Sequence, residues 1–183
     1  YNILVSLKAN DISRTVQAYR ALAKKVPYPF HLGITEAGTE FTGTVRSVIG
    51  IGIMLAEGIG DTIRVSLTAD PVKEIKVGKE ILRSLDLLRE GCRIISCPTC
   101  ARSEIDVQRI AEKVERMTRN VKKPLRIAVM GCVVNGPGEA READVGLAAG
   151  KAGGVIFAKG KIVGTFAKEK LFNKLIAEIN KLK

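Results

Sequence analysis

Short apolar runs alternate with helical patterns through residues 1–90, and this alternation constrains the fold more than any other feature. The runs at residues 2–7 (NILVSL), 30–35 (FHLGIT) and 62–67 (TIRVSL) have the length and composition of buried strands. Short, continuous apolar strands separated by helices are typical of a parallel sheet that is covered by those helices. The segments VSLKA at residue 5 and VSLTA at residue 65 share four of five residues, which supports a repeated unit.

A (β/α)8 barrel contains eight strand–helix units, and three are visible in this sequence. The α/β pattern of the first half therefore predicts either a small open sheet or part of a TIM-type barrel. Helical periodicity at residues 12–26 and 42–57 predicts the first two helices. A third helix should begin after Asp70 as N-cap, with Pro71 in its first turn.

Charged residues lie at or near the ends of the three predicted strands in a common phase. Lys8, Glu36 and Arg64 are 28 residues apart each time, at or near the carboxyl end of a strand. Ligands bind at that end of parallel α/β sheets, and these three side chains together would suit a phosphorylated substrate that carries a hydroxyl group. The alternative, that charged residues simply end strands in solvated loops, stays open from the sequence alone.

The pattern changes after Glu90, so we expect residues 1–90 and residues 91–183 to form separate domains. In the second domain, strands are predicted at residues 93–96, 125–131 and 144–148, a hairpin around 159–161, and helices at 104–119 and from 168 onward. The order of these elements indicates an α+β fold.

Four cysteines, Cys92, Cys97, Cys100 and Cys132, fall within 41 residues, and none lies in the first half of the chain. Clustered cysteines without a signal-peptide pattern indicate a cytoplasmic thiolate site rather than a disulfide scaffold. Cys97 and Cys100 form a CxxC pair after one predicted strand, and Cys132 follows another. These three sulfurs could share one metal centre, whereas Cys92 fits a small buried residue within its strand.

Three thiolates without a nearby fourth cysteine help to distinguish structural zinc from an iron–sulfur cluster. Structural zinc normally takes four protein ligands, and the single histidine, His31, lies in the first predicted domain. A [4Fe–4S] cluster held by three cysteines keeps one iron open for a labile ligand or a substrate. Glu139 is a candidate for that position, because a tight turn at residues 135–138 (NGPG) can bring its carboxylate back toward Cys132. The alternative for Glu139 is an exposed residue that starts a helix.

The net charge of +11 favours polyanionic partners but does not choose among them. Two other functions stay open: a thiol–disulfide oxidoreductase that uses Cys97 and Cys100, and a basic nucleic-acid-binding module with structural zinc. Eight aromatic residues occur and none forms a stacking motif, which disfavours nucleic acid. No apolar run approaches the roughly 20 residues that cross a bilayer, so we expect no membrane partner.

Several segments resemble the signatures of a known family. Residues 96–102 (SCPTCAR) and 130–140 (MGCVVNGPGEA) are similar to those of the 4-hydroxy-3-methylbut-2-enyl diphosphate synthases, iron–sulfur enzymes of the non-mevalonate isoprenoid pathway. Residues 31–38 (HLGITEAG) and 60–67 (GDTIRVSL) resemble the barrel strands of this family. The similarity runs through the whole chain, and the MGCVVNGPGEA segment is highly specific.

This resemblance implies a fold and a cofactor. The family joins a (β/α)8 barrel to an α+β iron–sulfur domain similar to a half-domain of sulfite and nitrite reductases. The ligands of its [4Fe–4S] cluster would here be Cys97, Cys100, Cys132 and Glu139. Roughly the first half of the barrel would be absent, so we expect a fragment that does not turn over substrate by itself.

The resemblance also implies a reaction, the reductive ring opening and dehydroxylation of 2-C-methyl-D-erythritol 2,4-cyclodiphosphate. Lys8 and Arg64 would hold the diphosphate, Glu36 would orient a hydroxyl or handle a proton, and a substrate oxygen would displace Glu139 from the iron. Weaker candidates for substrate binding are Ser6, Thr35 and Ser66. Family members are homodimers in which the barrel of one subunit faces the cluster of the other, and reduced ferredoxin or flavodoxin supplies the electrons.

Overall fold

The computed structural model describes residues 2–132, 134, 138 and 142–183. Glu139, the candidate fourth ligand of the cluster, lies outside the described residues. Contacts within the chain divide it into two units, Tyr1–Leu88 and Arg89–Lys183. Each unit has a hydrophobic core built from its own residues.

The first unit alternates helices with short parallel strands, as predicted. Its elements in chain order are α1 (Ile12–Ala23), β1 (His31–Leu32), α2 (Glu40–Ala56), β2 (Thr62–Ile63) and α3 (Pro71–Ser84). β1 and β2 pair in parallel, with His31 opposite Thr62. An isolated parallel bridge joins Val5 to Phe30, so the first predicted strand runs beside β1 on the side away from β2.

Local capping explains where two of these helices begin. Ahead of α1, Asp11 Oδ1 accepts a hydrogen bond from Arg14 N at 2.6 Å. Ahead of α3, Asp70 Oδ1 accepts from Val72 N at 2.8 Å, and Pro71 is the first helical residue, so the predicted helix start is confirmed. None of the helices in the described part of the chain combines the length and apolar character that a membrane crossing requires.

The strands of the first unit are shorter than predicted. The sequence predicts six residues in each, whereas β1 and β2 have two residues and the first segment has a single bridge at Val5. Hydrophobic runs indicate which residues are buried, but a strand also needs a continuous ladder of hydrogen bonds to its neighbour. Beyond the strands the parallel alignment continues only through isolated bonds, such as Thr35 N to Ala9 O.

The core of the first unit lies between the strands and the helices. Its buried members are Val16, Tyr19, Phe30, Leu32, Ile51, Met54, Val65 and Ile81. Leu7 and Ile63 pack against this cluster, so the residues that alternate with them lie on the opposite face of the strands. Gly50 lets α2 pack closely against Ile34, because a Cβ at position 50 would lie 2.5 Å from Ile34 Cδ1.

The second unit is built on a five-stranded sheet. Its described elements in chain order are β3 (Cys92–Ser96), α4 (Val107–Thr118), β4 (Leu125–Met130), β5 (Val145–Gly150), β6 (Gly153–Ala158), β7 (Lys161–Phe166) and α5 (Lys168–Leu182). The strands follow one another across the sheet, β3 to β5 in parallel and β5 to β7 antiparallel. α4 begins three residues later than predicted, because Asp106 caps it by accepting from Arg109 N at 3.0 Å.

Both faces of this sheet are apolar at its centre. On one face, Ile127 and Val129 of β4 belong to the larger core, which α4 and α5 cover. On the other face, Ala128 and Met130 belong to a smaller cluster. The predicted hairpin between β6 and β7 is confirmed, and residues 159–160 have the left-handed φ angles of 50° and 74° that a two-residue type I′ turn requires.

Candidate active site

A polar face on the strands of the first unit is the candidate substrate site. Strand periodicity places the following residues opposite the helices: Ser6, Lys8, His31, Gly33, Thr35, Thr62, Arg64 and Ser66. TIM-type barrels normally fill this inner face with branched apolar side chains. A concentration of polar and charged side chains there indicates a surface that binds a ligand.

Lys8 and Arg64 lie close together on this face. Partial burial lowers the pKa of Lys8 below its usual value, and the positive charge of Arg64 lowers it further. Neither side chain forms an ion pair with another residue that the structure describes. Gly33 makes room for the pair, because a Cβ there would lie 3.0 Å from Lys8 Cε and 2.7 Å from Arg64 O. Two neighbouring cations without a carboxylate partner suit an anionic ligand.

His31 lies next to these two cations, and the sequence analysis did not identify it as a site residue. Its pKa is lowered first by partial burial, then by the charges of Lys8 and Arg64. Its Nδ1 is hydrogen-bonded to Thr62 Oγ1 at 2.8 Å. A histidine with a lowered pKa is neutral at pH 7, so it offers a hydrogen bond without a third positive charge. We name Lys8, His31 and Arg64 the rim cluster. The sequence did contain one indication that His31 belongs to the site: it lies on the same face of its strand as Thr35.

Tyr19 of α1 holds two strand ends in place. Its side chain is fully buried, and its ring meets that of Phe30 edge to face, with 5.6 Å between centroids. The hydroxyl accepts from Leu7 N at 2.9 Å and donates to His31 O at 2.6 Å. Tyr19 therefore fixes the backbone beside Lys8 and at His31, a role that its apolar position in the helical pattern did not reveal.

The other two helices also hold the loops that follow the strands. Arg46 of α2 donates to the carbonyl oxygens of Asn10 and Ala37, which lie after the first and second strands. Glu74 of α3 accepts from Leu67 N at 2.8 Å, after the third strand. Neither residue was identified from the sequence, because a solvent-facing charge on a helix has the same pattern as a charge that binds a loop.

Glu36 lies at the carboxyl end of the second strand, four residues after Leu32, the last residue of β1. It is exposed, its backbone has a left-handed φ of 51°, and it forms no ion pair with the cluster. Among the weaker candidates, Ser6 donates to His31 O at 3.1 Å, and Thr35 and Ser66 are half-buried. The structure thus brings Lys8 and Arg64 together, and among the described residues Glu36 forms no ion pair with either of them.

Two cysteines of the second unit lie at one end of its sheet. β3 and β4 pair in parallel with Ser96 opposite Val129, so the chain leaves both strands at the same edge. Gly131 N donates to Cys97 Sγ at 3.1 Å, and Cys132 is the next residue. The two strand ends therefore bring Cys97 and the segment of Cys132 together.

The loop that carries Cys100 is hydrogen-bonded to Gly131. Glu104 N donates to Gly131 O at 2.8 Å, and a Cβ at position 131 would lie 2.4 Å from Ser103 Oγ, so glycine permits this approach. Cys100 itself is exposed. The backbone N–H of Arg102 is the main cause of the lowered pKa of the Cys100 thiol, and the Arg102 side chain adds to it. The loop thus favours the thiolate form, which binds metals.

The sulfurs have the chemistry of iron ligands, although the described residues do not complete a metal site. Thiolates are the usual ligands of iron–sulfur clusters. Within residues 2–132, 134, 138 and 142–183, no three His, Cys, Asp or Glu side chains form a group that could hold a metal ion. Glu139, the fourth predicted ligand, is not among these residues. Cys92 is half-buried rather than buried; it begins β3, opposite Leu125, and packs against the larger core.

A cavity of about 390 Å³ lies beside Cys97. Its walls are the end of β3 with residues 97–99 on one side and α4 on the other. Glu112 and Glu115 of α4 border it, so a diphosphate would meet repulsion there. The electrostatics therefore favour the rim cluster of the first unit as the site for an anionic substrate.

Two family models match the chain, one in each half. The GcpE TIM-barrel domain matches residues 1–79, and the GcpE protein C-terminal domain matches residues 93–181. The interval between the two matches contains the division between the structural units at Leu88 and Arg89.

Curated relatives match along the chain, and several have the name 4-hydroxy-3-methylbut-2-en-1-yl diphosphate synthase (flavodoxin). The chain is 58% identical to the protein of Caldanaerobacter subterraneus subsp. tengcongensis over 182 residues, which are 100% of this chain and 51% of the relative. It is 55% identical to that of Clostridium perfringens over 176 residues, 96% of this chain and 50% of the relative. It is 54% identical to that of Geobacter sulfurreducens over 180 residues, which are 98% of this chain and 51% of the relative. The chain spans about half the length of these relatives.

Proposed function

Because the chain belongs to the GcpE family, we propose that the complete polypeptide carrying this sequence converts 2-C-methyl-D-erythritol 2,4-cyclodiphosphate into 4-hydroxy-3-methylbut-2-enyl diphosphate. Relatives that are 54–58% identical to the chain are named as that synthase. The observation that carries the proposal is the approach of Cys97 to the segment of Cys132, with Gly131 N donating to Cys97 Sγ at 3.1 Å. The reaction takes up two electrons, opens the cyclic diphosphate and removes a hydroxyl group, so it needs a redox cofactor.

The cofactor that fits these residues is a [4Fe–4S] cluster, with Cys97, Cys100, Cys132 and Glu139 as its ligands. When bound, such a cluster supplies electrons at low potential and an iron that acts as a Lewis acid. The lowered pKa of the Cys100 thiol supports this ligand set, because the thiolate is the form that binds iron. The hydrogen bond from Gly131 N to Cys97 Sγ would tune the reduction potential, and its donor is a backbone amide rather than a side chain.

The rim cluster is the proposed binding site for the diphosphate. Lys8 and Arg64 would hold its oxygens through charge-assisted hydrogen bonds, and the anion would favour the protonated form of Lys8. Glu36, at the same end of the strands, would orient a hydroxyl group or exchange a proton with the substrate. Weaker substrate contacts are proposed for Ser6, Thr35 and Ser66.

The proposal extends to the architecture of the complete protein. Residues 1–90 would form part of a (β/α)8 barrel, and residues 91–183 an iron–sulfur domain similar to a half-domain of sulfite and nitrite reductases. The parallel strands of the first unit and the mixed five-stranded sheet of the second support this assignment. Two copies would form a homodimer in which the barrel of one faces the cluster of the other. Reduced flavodoxin, which the names of the relatives include, or ferredoxin would supply electrons in the cytoplasm.

Matched cysteine variants of the complete polypeptide test this function. Without oxygen, the parent should contain iron and acid-labile sulfide and form product from the cyclic diphosphate with reduced flavodoxin. Cys132→Ala should lose cluster and activity, whereas Cys92→Ala should retain both, because Cys92 lies at the opposite end of β3 from Cys97. Glu139→Ala should lower cluster content or activity. Disulfide reductase activity that persists in Cys132→Ala without iron would contradict the proposal and support a thiol–disulfide oxidoreductase.

A further inference from the structure

An ion pair joins the loop that carries Cys100 to the first residue of α5. Glu104 lies four residues after Cys100, and its carboxylate accepts a hydrogen bond from Lys168 Nζ at 3.0 Å. The two side chains are 30% and 31% exposed, whereas Lys181, in its pair with Glu178 near the other end of α5, is 67% exposed. Water screens a partly buried pair less than a pair at the surface, so the Glu104–Lys168 pair can hold its two segments together.

The start of α5 does not by itself explain a lysine at position 168. The preceding residue, Ala167, makes no side-chain hydrogen bond to cap the helix. A lysine in the first turn is also opposed by the positive end of the helix dipole. The carboxylate of Glu104 supplies a negative charge beside this turn and compensates for both features. Lys168 is therefore better explained by its contact with Glu104 than by the stability of α5.

α5 is a fixed support for this contact. Leu171, Leu175 and Ile179 of the helix are buried in the larger core, and the helix packs on β5 and β6. A Cβ at Gly154 of β6 would lie 2.8 Å from Leu171 Cδ1, so the helix lies close against the sheet. Because α5 is packed in this way, Lys168 provides a fixed point of attachment for the exposed residues 98–102 of the cysteine loop.

The backbone of Glu104 holds the same loop from a second direction. Glu104 N donates to Gly131 O at 2.8 Å, and Gly131 directly precedes Cys132. Ser103 N donates to Cys100 O at 3.0 Å, which closes a turn between Cys100 and Glu104. Glu104 therefore connects three parts of the second unit: the turn of Cys100, the segment of Cys132 and α5.

We propose that Glu104, held by Lys168, is a positioning residue for the iron–sulfur cluster and fixes the turn of Cys100 relative to the segment of Cys132. The inference rests on the proposed function, because it takes Cys100 and Cys132 as ligands of the cluster. Glu104 itself contacts neither substrate nor iron in this role. Loss of the pair should leave the fold intact and make the cluster easier to remove.

Removal of iron from the complete polypeptide by bipyridine tests this role. The parent and its variants are loaded with iron and sulfide without oxygen, and the coloured iron–bipyridine complex is followed by absorbance. Glu104→Lys and Lys168→Glu should each release iron about ten-fold faster than the parent, the effect typical of a residue that orients metal ligands. Lys181→Glu is the matched control, because it reverses a charge in the other ion pair of α5; it should release iron at the parental rate.

The exchanged pair, Glu104→Lys combined with Lys168→Glu, separates positioning from loss of folding. It restores the attraction with opposite polarity and places a carboxylate in the first turn of α5, where the helix dipole favours it. Its rate of iron release should return close to that of the parent, and the urea midpoint of each variant should stay close to the parental value. Single variants with the parental rate, or an exchanged pair as fast as the single variants, would overturn the inference.

The same measurement distinguishes this inference from the proposed function. A parent that binds no cluster would contradict the proposed function and this inference with it. A parent that holds its cluster, with single variants that release iron no faster, would contradict the role of Glu104 alone.

Discussion

Lys8 supplies one of the two positive charges of the proposed diphosphate site. Partial burial and Arg64 lower its pKa, so it loses its proton at a lower pH than an exposed lysine would. Substrate binding should weaken as the pH rises through this pKa, below the usual 10.5. We expect kcat/KM of the complete enzyme to fall on the alkaline side, and Lys8→Arg to move the fall to higher pH, because arginine stays charged.

Removal of the Lys8 charge shows how much this charge contributes to kcat/KM. Lys8→Met should lower kcat/KM by about 10- to 100-fold at neutral pH, the loss of a charged hydrogen bond worth roughly 1.5–3 kcal/mol. Lys24 is exposed beyond α1 and serves as the control, so Lys24→Met should change neither kcat/KM nor its pH profile. The same alkaline fall in the parent and in Lys8→Arg would exclude Lys8 as the titrating group.

The lowered pKa of His31 should make the free energy of unfolding depend on pH. Its pKa is lowered from the usual 6.5 by burial and by Lys8 and Arg64, so the unfolded chain binds the proton more readily than the folded one. Stability should therefore be complete above that value and decrease as the pH falls from about 6.5 through the lowered pKa. Urea unfolding at a series of pH values should show this decrease in the parent and less of it in His31→Gln. An identical pH dependence in both proteins would contradict this account.

At the scale of elements, two glycines in helices of the first unit should respond in opposite directions to alanine. At Gly50 of α2 the new Cβ would lie 2.5 Å from Ile34 Cδ1, so Gly50→Ala should destabilise the protein by about 1–3 kcal/mol through overpacking. At Gly78 of α3 the nearest atoms, in Ile63 and Val65, are 3.7–3.8 Å away. Gly78→Ala should stabilise by about 0.5–1 kcal/mol, because alanine favours the helix. Urea midpoints measure both; a stabilising Gly50→Ala would show that the contact with Ile34 is not tight.

Sequence patterns predicted those elements whose determinants are local. The start of α3 could be predicted because Asp70 and Pro71 act within one turn, and the hairpin because its glycine lies between two apolar runs. Strand lengths in the first unit could not, since a ladder depends on a neighbour about 30 residues away. The common phase of the strands predicted that Lys8 and Arg64 lie near each other, because strand ends recur at a regular spacing along the sequence. The hydrogen bonds of Tyr19 to two strands could not be predicted, because they join residues 12 positions apart that meet only in the folded chain.

At the scale of the whole molecule, the two units differ in how much of their structure they complete by themselves. The second unit has a five-stranded sheet with α4 and α5 over one face and a core formed by its own residues. The first has strands of two residues, a polar strand face and exposed apolar side chains on α2, among them Phe41 and Ile49. Short strands with open edges and uncovered apolar surface are typical of a part that folds together with further structure.

This contrast predicts that the two units fold differently when they are produced separately. A chain of residues 89–183, kept reduced, should unfold cooperatively in urea with a stability on the order of 5 kcal/mol, because its central strands are buried on both faces. Residues 1–88, the matched control, should show helical circular dichroism but a broad transition and a tendency to associate through exposed apolar side chains. Far-ultraviolet circular dichroism and sedimentation measure both properties. A sharp, monomeric transition for residues 1–88 would show that this part needs no additional strands, and the interpretation of the first unit as an incomplete barrel would then be wrong.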